Sequence, residues 1–215
     1  MFYTHEDVIR FISKYIVKRV GLNKYTKQCS LSDDIKVLDF GCGIGRHVKL
    51  LNEFNMDSYG FDLSKEAITM AKNNFREEGL TELVDKVIVA DITNLPYENK
   101  YFDFMISHGV LDSMPFNIAR SGLLEISRCL KDKGKIYFDL ISEHGYICSD
   151  ENFEKTITTN HEKNTIQTYF NKDRINSLID GIFNITEIVL KTEKNLQNDF
   201  IHGRYHIVVE KILNE

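Results

Sequence analysis

Apolar positions change period repeatedly along this chain, and each change marks an element. Val8, Phe11, Ile12, Tyr15 and Ile16 share one face at helical spacing, with Thr4 as a candidate N-cap and Gly21 as a stop, so the spacing predicts an amphipathic helix over residues 4–20. A polar connection through Ser32, Asp33 and Asp34 leads into a run of β-formers that predicts a strand at 36–40. Helical spacing resumes over 44–54, and a second strand ends in Asp62. Ser64 caps the next helix, whose Ala67, Ile68, Ala71 and Phe75 repeat at helical intervals until Gly79 ends it. Residues 87–90 form a third strand. Strand, helix, strand, helix, strand is the pattern of a parallel sheet wound right-handedly.

Beyond the turn-rich link 94–100, the pattern predicts a strand at 101–107, a helix at 118–130 and a strand at 135–141. Residues 142–164 are polar and irregular, which fits either a substrate wall or a surface excursion. An extended piece at 165–169 precedes a short helix capped by Asn171, and strands at 182–190 and 204–212, joined by a loop at 195–202, finish the chain.

The stretch Val37–Leu38–Asp39–Phe40–Gly41–Cys42–Gly43–Ile44–Gly45–Arg46–His47 reads as strand, glycine turn and helix. Glycines let the backbone turn with positive φ and let a ligand lie on it, and the following helix aims free N–H groups at that ligand. A dinucleotide site asks for G-x-G-x-x-G, whereas here the third glycine falls one position early and Arg46 stands where Gly or Ala is wanted. Asp39 beside the turn would repel a pyrophosphate and hold a positively charged ligand, which suits an amino-acid nucleoside. Asp62 is placed as a ribose-hydroxyl acceptor, and Asp91, after the third strand, as an acceptor for an adenine amino group.

Three strands that each end in an acid resemble the class I S-adenosylmethionine-dependent methyltransferases. VLDFGCGIG matches the family's glycine motif, GFDLS its ribose-binding acid, VADI its adenine-side acid, and Tyr101–Ser107 its fourth strand, over roughly residues 35–141. The resemblance implies a Rossmann-like α/β fold: a seven-stranded, mostly parallel sheet with helices on both faces and a C-terminal antiparallel hairpin. It implies one domain, with 1–34 as an N-terminal helical lid, 35–141 as the cofactor-binding core and 142–215 as the substrate side. S-adenosylmethionine is the cofactor it implies, with S-adenosylhomocysteine as product, held by Asp39, Gly41, Cys42, Gly43, Asp62, Leu63, Asp91, Ile92 and Ser107.

Composition narrows the partners. The 215 residues carry a net charge of −5 with scattered lysines, which disfavours long nucleic acid. Four cysteines without a C-x-x-C pair fit reduced thiols in a cytoplasmic protein. The first ten residues lack a secretory signal's pattern, and no apolar run approaches the roughly 20 residues of a membrane span. No carboxylate and histidine cluster resembles a metal site, and a small-molecule acceptor is the residual expectation. Composition leaves the oligomeric state open.

Ligands of parallel sheets sit beyond the carboxyl ends of the strands, which places the reacting centre between 107–109 and 142–146. His108 is the first candidate for a general base and His144 the second, each otherwise a loop histidine bonded to backbone or water. Tyr3 and Arg10 are candidates for the substrate or the cofactor carboxylate, with a packing Tyr and a solvated Arg as the alternatives, and Tyr146 and Arg204 are candidates for the substrate, Arg204 through an anionic group. Arg204 and His206 share a strand face, whereas His5, His47 and His161 read as ordinary. The resulting expectation is methyl transfer to a small molecule, with a hydroxyl of a metabolite or sugar nucleotide among the candidates. A non-catalytic cofactor-binding module and, further off, an NAD-dependent oxidoreductase are the competing expectations.

Overall fold

A computed structural model describes residues 3–22, 24–29, 34–144, 153–157 and 165–213. The chain opens on α1 (Glu6–Phe11), continues as a π-helical turn (Ile12–Ile16), and then forms a two-stranded hairpin of β1 (Val17–Gly21) and β2 (Lys24–Lys27). The helix is therefore shorter than its apolar spacing implies. Val17 and Val20 are β-branched and favour the extended chain. The N-cap is His5 rather than Thr4, and its side chain makes no capping bond.

The core alternates as expected: β3 (Lys36–Phe40), α2 (Arg46–Glu53), β4 (Asp57–Asp62), α3 (Lys65–Glu77), β5 (Val87–Val89), β6 (Phe102–Ile106), α4 (Phe116–Cys129) and β7 (Leu130–Ile141). Ser64 and Asn171 cap their helices as the sequence indicates, each side-chain oxygen accepting a backbone N–H, from Ala67 at 3.1 Å and from Arg174 at 2.9 Å. A small sheet of β8 (Glu154–Thr156) and β9 (Ile166–Thr168) precedes α5 (Lys172–Ile179), β10 (Phe183–Lys194) and β11 (Ile201–Lys211). The last two strands are longer than expected, so their connecting loop is confined to 195–200.

Seven strands form one sheet in the order β10-β11-β7-β6-β3-β4-β5. The five strands β3 to β7 are parallel, and β11 runs antiparallel between β7 and β10. The parallel part of the sheet is buried on both faces, as a parallel sheet requires, while β10 at the antiparallel edge is largely exposed. Leu38, Phe40, Met105, Phe138 and Leu140 enter the core beneath α4 and α5. Val37, Phe104, Ile106 and Tyr137 enter the opposite core with Val8, Phe11 and Leu51. Period-two alternation then puts Asp39, Asp139 and His206 on the face covered by α1 and α2.

Gly60 in β4 lets α2 close onto the sheet. A Cβ there would lie 2.7 Å from Val48 and 2.9 Å from the Cys42 side chain. Gly60→Ala is expected to lower stability by about 1–3 kcal/mol through overpacking, read as a fall in the urea midpoint at unchanged slope. An unchanged midpoint would show that α2 can shift without cost.

Candidate functional site

The turn after β3 is built by glycines with positive φ, +71° at Gly41 and +54° at Gly43. At Gly41 a side chain would strike Val110, 2.3 Å from its Cγ2, so the glycine turn and the loop after β6 are in direct contact. Around Gly43 a Cβ would meet nothing within 4 Å, so the backbone there is open to a ligand. Asp62 fixes this loop: its carboxylate accepts the Gly43 N–H at 2.9 Å and the Ser64 N–H at 2.8 Å.

Asp39 is 1% exposed, yet neither carboxylate oxygen has a hydrogen-bond partner among the described residues. A buried carboxylate without donors is costly unless a ligand supplies them. His47 faces it, with Nδ1 3.7 Å from Asp39 Oδ2. The other cofactor candidates divide by exposure. Leu63 is exposed beside Asp62, and Asp91 is exposed and held in a turn by the N–H and hydroxyl of Thr93. These Thr93 hydrogen bonds hold the Asp91 pKa below the usual carboxylate range. Ile92 points instead into the core, against Gly122, and the Ser107 hydroxyl donates to the Phe40 carbonyl at 2.8 Å. Cys42 is buried, which pushes its thiol pKa up, so its contribution is packing and backbone.

Beyond β6 and β7 the structure assembles a denser polar centre than the sequence suggests. His108 Nε2 lies 3.3 Å from Asp139 Oδ2, and burial lowers the His108 pKa to about 4 despite that carboxylate. Asp139 also accepts the Gly109 N–H at 2.7 Å. Arg204 bridges two buried acids, its Nε donating to Asp139 and an Nη to Asp112, both at 2.6 Å. Burial pushes the Asp112 carboxyl up to about 6 even beside that guanidinium. The His5 ring lies against His108, centroids 3.8 Å apart, and within 5.9 Å of His206. Asp7, on the same turn as His5, is buried and paired with Lys191 at 2.6 Å.

Several sequence expectations are revised by these contacts. His5 and His47, read as ordinary, lie in the centre, joined by the His5 N–H donating to His47 Nε2 at 3.3 Å. Arg10 instead faces outward and pairs with Glu6 at 2.7 Å, while the neighbouring acid, Asp7, points inward. Tyr3 lines a groove of about 440 Å³ with Gly45 and Arg46, beside the glycine turn. His144 is exposed at the edge of the described segment, and Tyr146 lies outside the described residues. A charged residue within the apolar strand Ile136–Ile141 is the signal that points to Asp139. Among the described residues no group of three or more His, Cys, Asp or Glu side chains could hold a metal ion.

The strand order and an acid-ended glycine turn at the carboxyl ends of the parallel strands define the Rossmann-like fold of the S-adenosylmethionine-dependent methyltransferases. Residues 31–198 match the methyltransferase domain family, and the chain belongs to it. A SAM-dependent methyltransferase structure from Methanosarcina mazei superposes with a TM-score of 0.70 at 21% identity, covering 86% of this chain and 95% of that one. In sequence, the chain is 36% identical over 124 residues to an uncharacterised protein of Methanocaldococcus jannaschii, covering 54% of this chain and 43% of that protein. It is 28% identical over 132 residues to a sterol 4-C-methyltransferase of Caenorhabditis elegans, covering 61% of this chain and 39% of the nematode protein. The chain thus spans about two fifths of the length of these two curated relatives.

Proposed function

We propose that this chain binds S-adenosylmethionine and transfers its methyl group to a small molecule through an atom that gives up a proton. The observation that carries this reading is Asp39, a buried carboxylate with two undonated oxygens beside the open backbone of Gly43. When bound, the cofactor supplies a methyl group already activated by its sulfonium, which leaves as a neutral thioether. Asp39 would hold the cofactor's ammonium group, Asp62 its ribose hydroxyls and Asp91 its adenine amino group, with Leu63 as the apolar surface beside the base. His108, neutral at pH 7, would take the proton that the acceptor loses.

A cavity of about 340 Å³ beside this centre is lined by residues that include His5, Asp7, Lys191, Glu193, Arg204 and His206. Lys191 and Arg204 already pair with buried acids there, which favours an uncharged or cationic acceptor over a sugar nucleotide. The nematode relative, named for a sterol, adds support for a small acceptor. No described helix is long and apolar enough to cross a membrane.

Thermal unfolding tests this reading with S-adenosylmethionine, S-adenosylhomocysteine and NAD in parallel. At ligand about 100 times its dissociation constant, linkage gives about 2.7 kcal/mol of stabilisation. Stabilisation by the first two, lost in Asp62→Ala, is the expected result; a response to NAD alone, or to none, would overturn the assignment. Binding without methyl transfer to any acceptor in a labelled-methyl screen would leave a cofactor-binding module instead.

Asp39→Asn is expected to weaken S-adenosylhomocysteine binding about 10- to 100-fold, the worth of one hydrogen bond to a charged group. The ligand-free protein should lose no stability, because the substitution removes a buried charge that has no donor. Calorimetric titration and ligand-free melting read the two effects separately. A large fall in the ligand-free melting temperature would show that Asp39 supports the fold rather than a ligand.

A further inference from the structure

The reading of Asp39 as the cofactor's ammonium holder leaves open what fixes Asp39 itself. His47 is 3% exposed and stands second in α2. Its Nε2 accepts the backbone N–H of His5, so a neutral ring carries its hydrogen on Nδ1. That Nδ1 is the atom facing Asp39, at 3.7 Å. Closing this gap by less than an ångström would complete a hydrogen bond to one of the two undonated oxygens.

The other partner of His47 is the residue that begins α1. His5 caps that helix through its backbone carbonyl, which accepts the Ile9 N–H at 3.2 Å, and its ring rests on His108. Two residues on, Asp7 anchors the same turn to β10 and β11 through Lys191, at 2.6 and 2.7 Å, and His206, at 3.4 Å. One imidazole therefore touches both the acid at the glycine turn and the first turn of the helix that covers the polar centre.

We propose that His47 is a positioning residue that couples the occupancy of Asp39 to the docking of α1. With α1 docked, the His5 N–H holds His47 in the tautomer that donates to Asp39. With a cation on Asp39, the carboxylate is held where it keeps that tautomer in place. The coupling is reciprocal, because each event raises the population of the arrangement that the other requires. The loop after β6 is in contact with both ends of this link, since the His108 ring lies against His5 and Val110 packs against Gly41.

Hydrogen exchange and calorimetry with S-adenosylhomocysteine as the probe test the proposal without turnover. In the wild type, S-adenosylhomocysteine should slow amide exchange over residues 8–12. His47→Leu should weaken binding about 10-fold, within the usual range of coupling energies, and abolish the slowing. His47→Asn keeps a donor near the Nδ1 position and loses the acceptor at Nε2, so its affinity should fall between those of His47→Leu and the wild type, and it should also lose the slowing. A melt of each ligand-free variant identifies any that fails to fold, and the Asn variant then decides the matter if Leu is the one that fails. His47→Leu or His47→Asn with wild-type slowing over 8–12 would overturn the coupling. Absence of S-adenosylhomocysteine binding by the wild type would instead overturn the reading of Asp39, a different and earlier failure.

Discussion

Arg204→Met is expected to destabilise the protein by about 3–5 kcal/mol at pH 7, because it leaves buried carboxylates without their cation. Asp112 and Asp139 are 2% and 1% exposed, and both accept hydrogen bonds from that one guanidinium. The loss should depend on pH with a definite sign. Burial raises the folded-state pKa of Asp112 from 3.8 to about 6, so across that window the folded protein holds the proton more tightly than the unfolded chain. Stability from this group is then present below the unfolded value and is lost as pH rises through the folded one. Arg204 pulls that pKa down; without it the window extends upward and the variant loses further stability above pH 6. Urea unfolding at pH 5, 6, 7 and 8 should show the difference from wild type smallest at pH 5 and largest at pH 8. A difference below about 1 kcal/mol, or one that does not vary with pH, would mean that water already solvates both acids.

His108→Gln is expected to lower kcat about 10²- to 10⁴-fold, the usual contribution of a positioned general base. Affinity for S-adenosylhomocysteine should stay within about 3-fold of wild type, because the cofactor's charged group is assigned to Asp39 and not to this ring. The pH profile adds a second criterion. Burial is the dominant cause that lowers the His108 pKa to about 4, with His5, His47 and Arg204 adding to it and Asp139 opposing. An imidazole with that pKa is already free to accept a proton at pH 5. Wild-type kcat against pH should therefore show no acid limb from His108 between pH 8 and pH 5, and none at the ordinary histidine value of 6.5. A His108→Gln variant with wild-type kcat would remove His108 from the reaction.

Period and punctuation made the parallel core legible in the sequence. Strands at 36–40 and 101–107, the caps Ser64 and Asn171, and the acids at the ends of β3 and β4 follow from local chemistry that tertiary contacts reinforce. The polar centre is less legible because its members come from the start of α1, α2, the loop after β6, β7 and β11, which only the folded sheet brings together. His47 read as an ordinary helix-opening residue; its role depends on the His5 N–H, 42 residues away in sequence. Arg204 looked available for a substrate anion until register placed His206 opposite Asp139, with Arg204 two residues along on the same face. The first helix was overestimated because an apolar stripe at helical spacing continues into β-branched residues that form a hairpin.

β11 is inserted between two strands that precede it in the chain, one place in from the edge of the sheet. Residues 201–211 pair with β7 on one side and β10 on the other. A growing chain that ends before residue 201 therefore carries β7 as an open edge, with Asp139 and Asp112 lacking the Arg204 guanidinium. Such an edge invites pairing with other chains. During synthesis, then, the polar centre and the resistance to aggregation arrive together, and a ribosome stalled a few residues short of β11 would release neither.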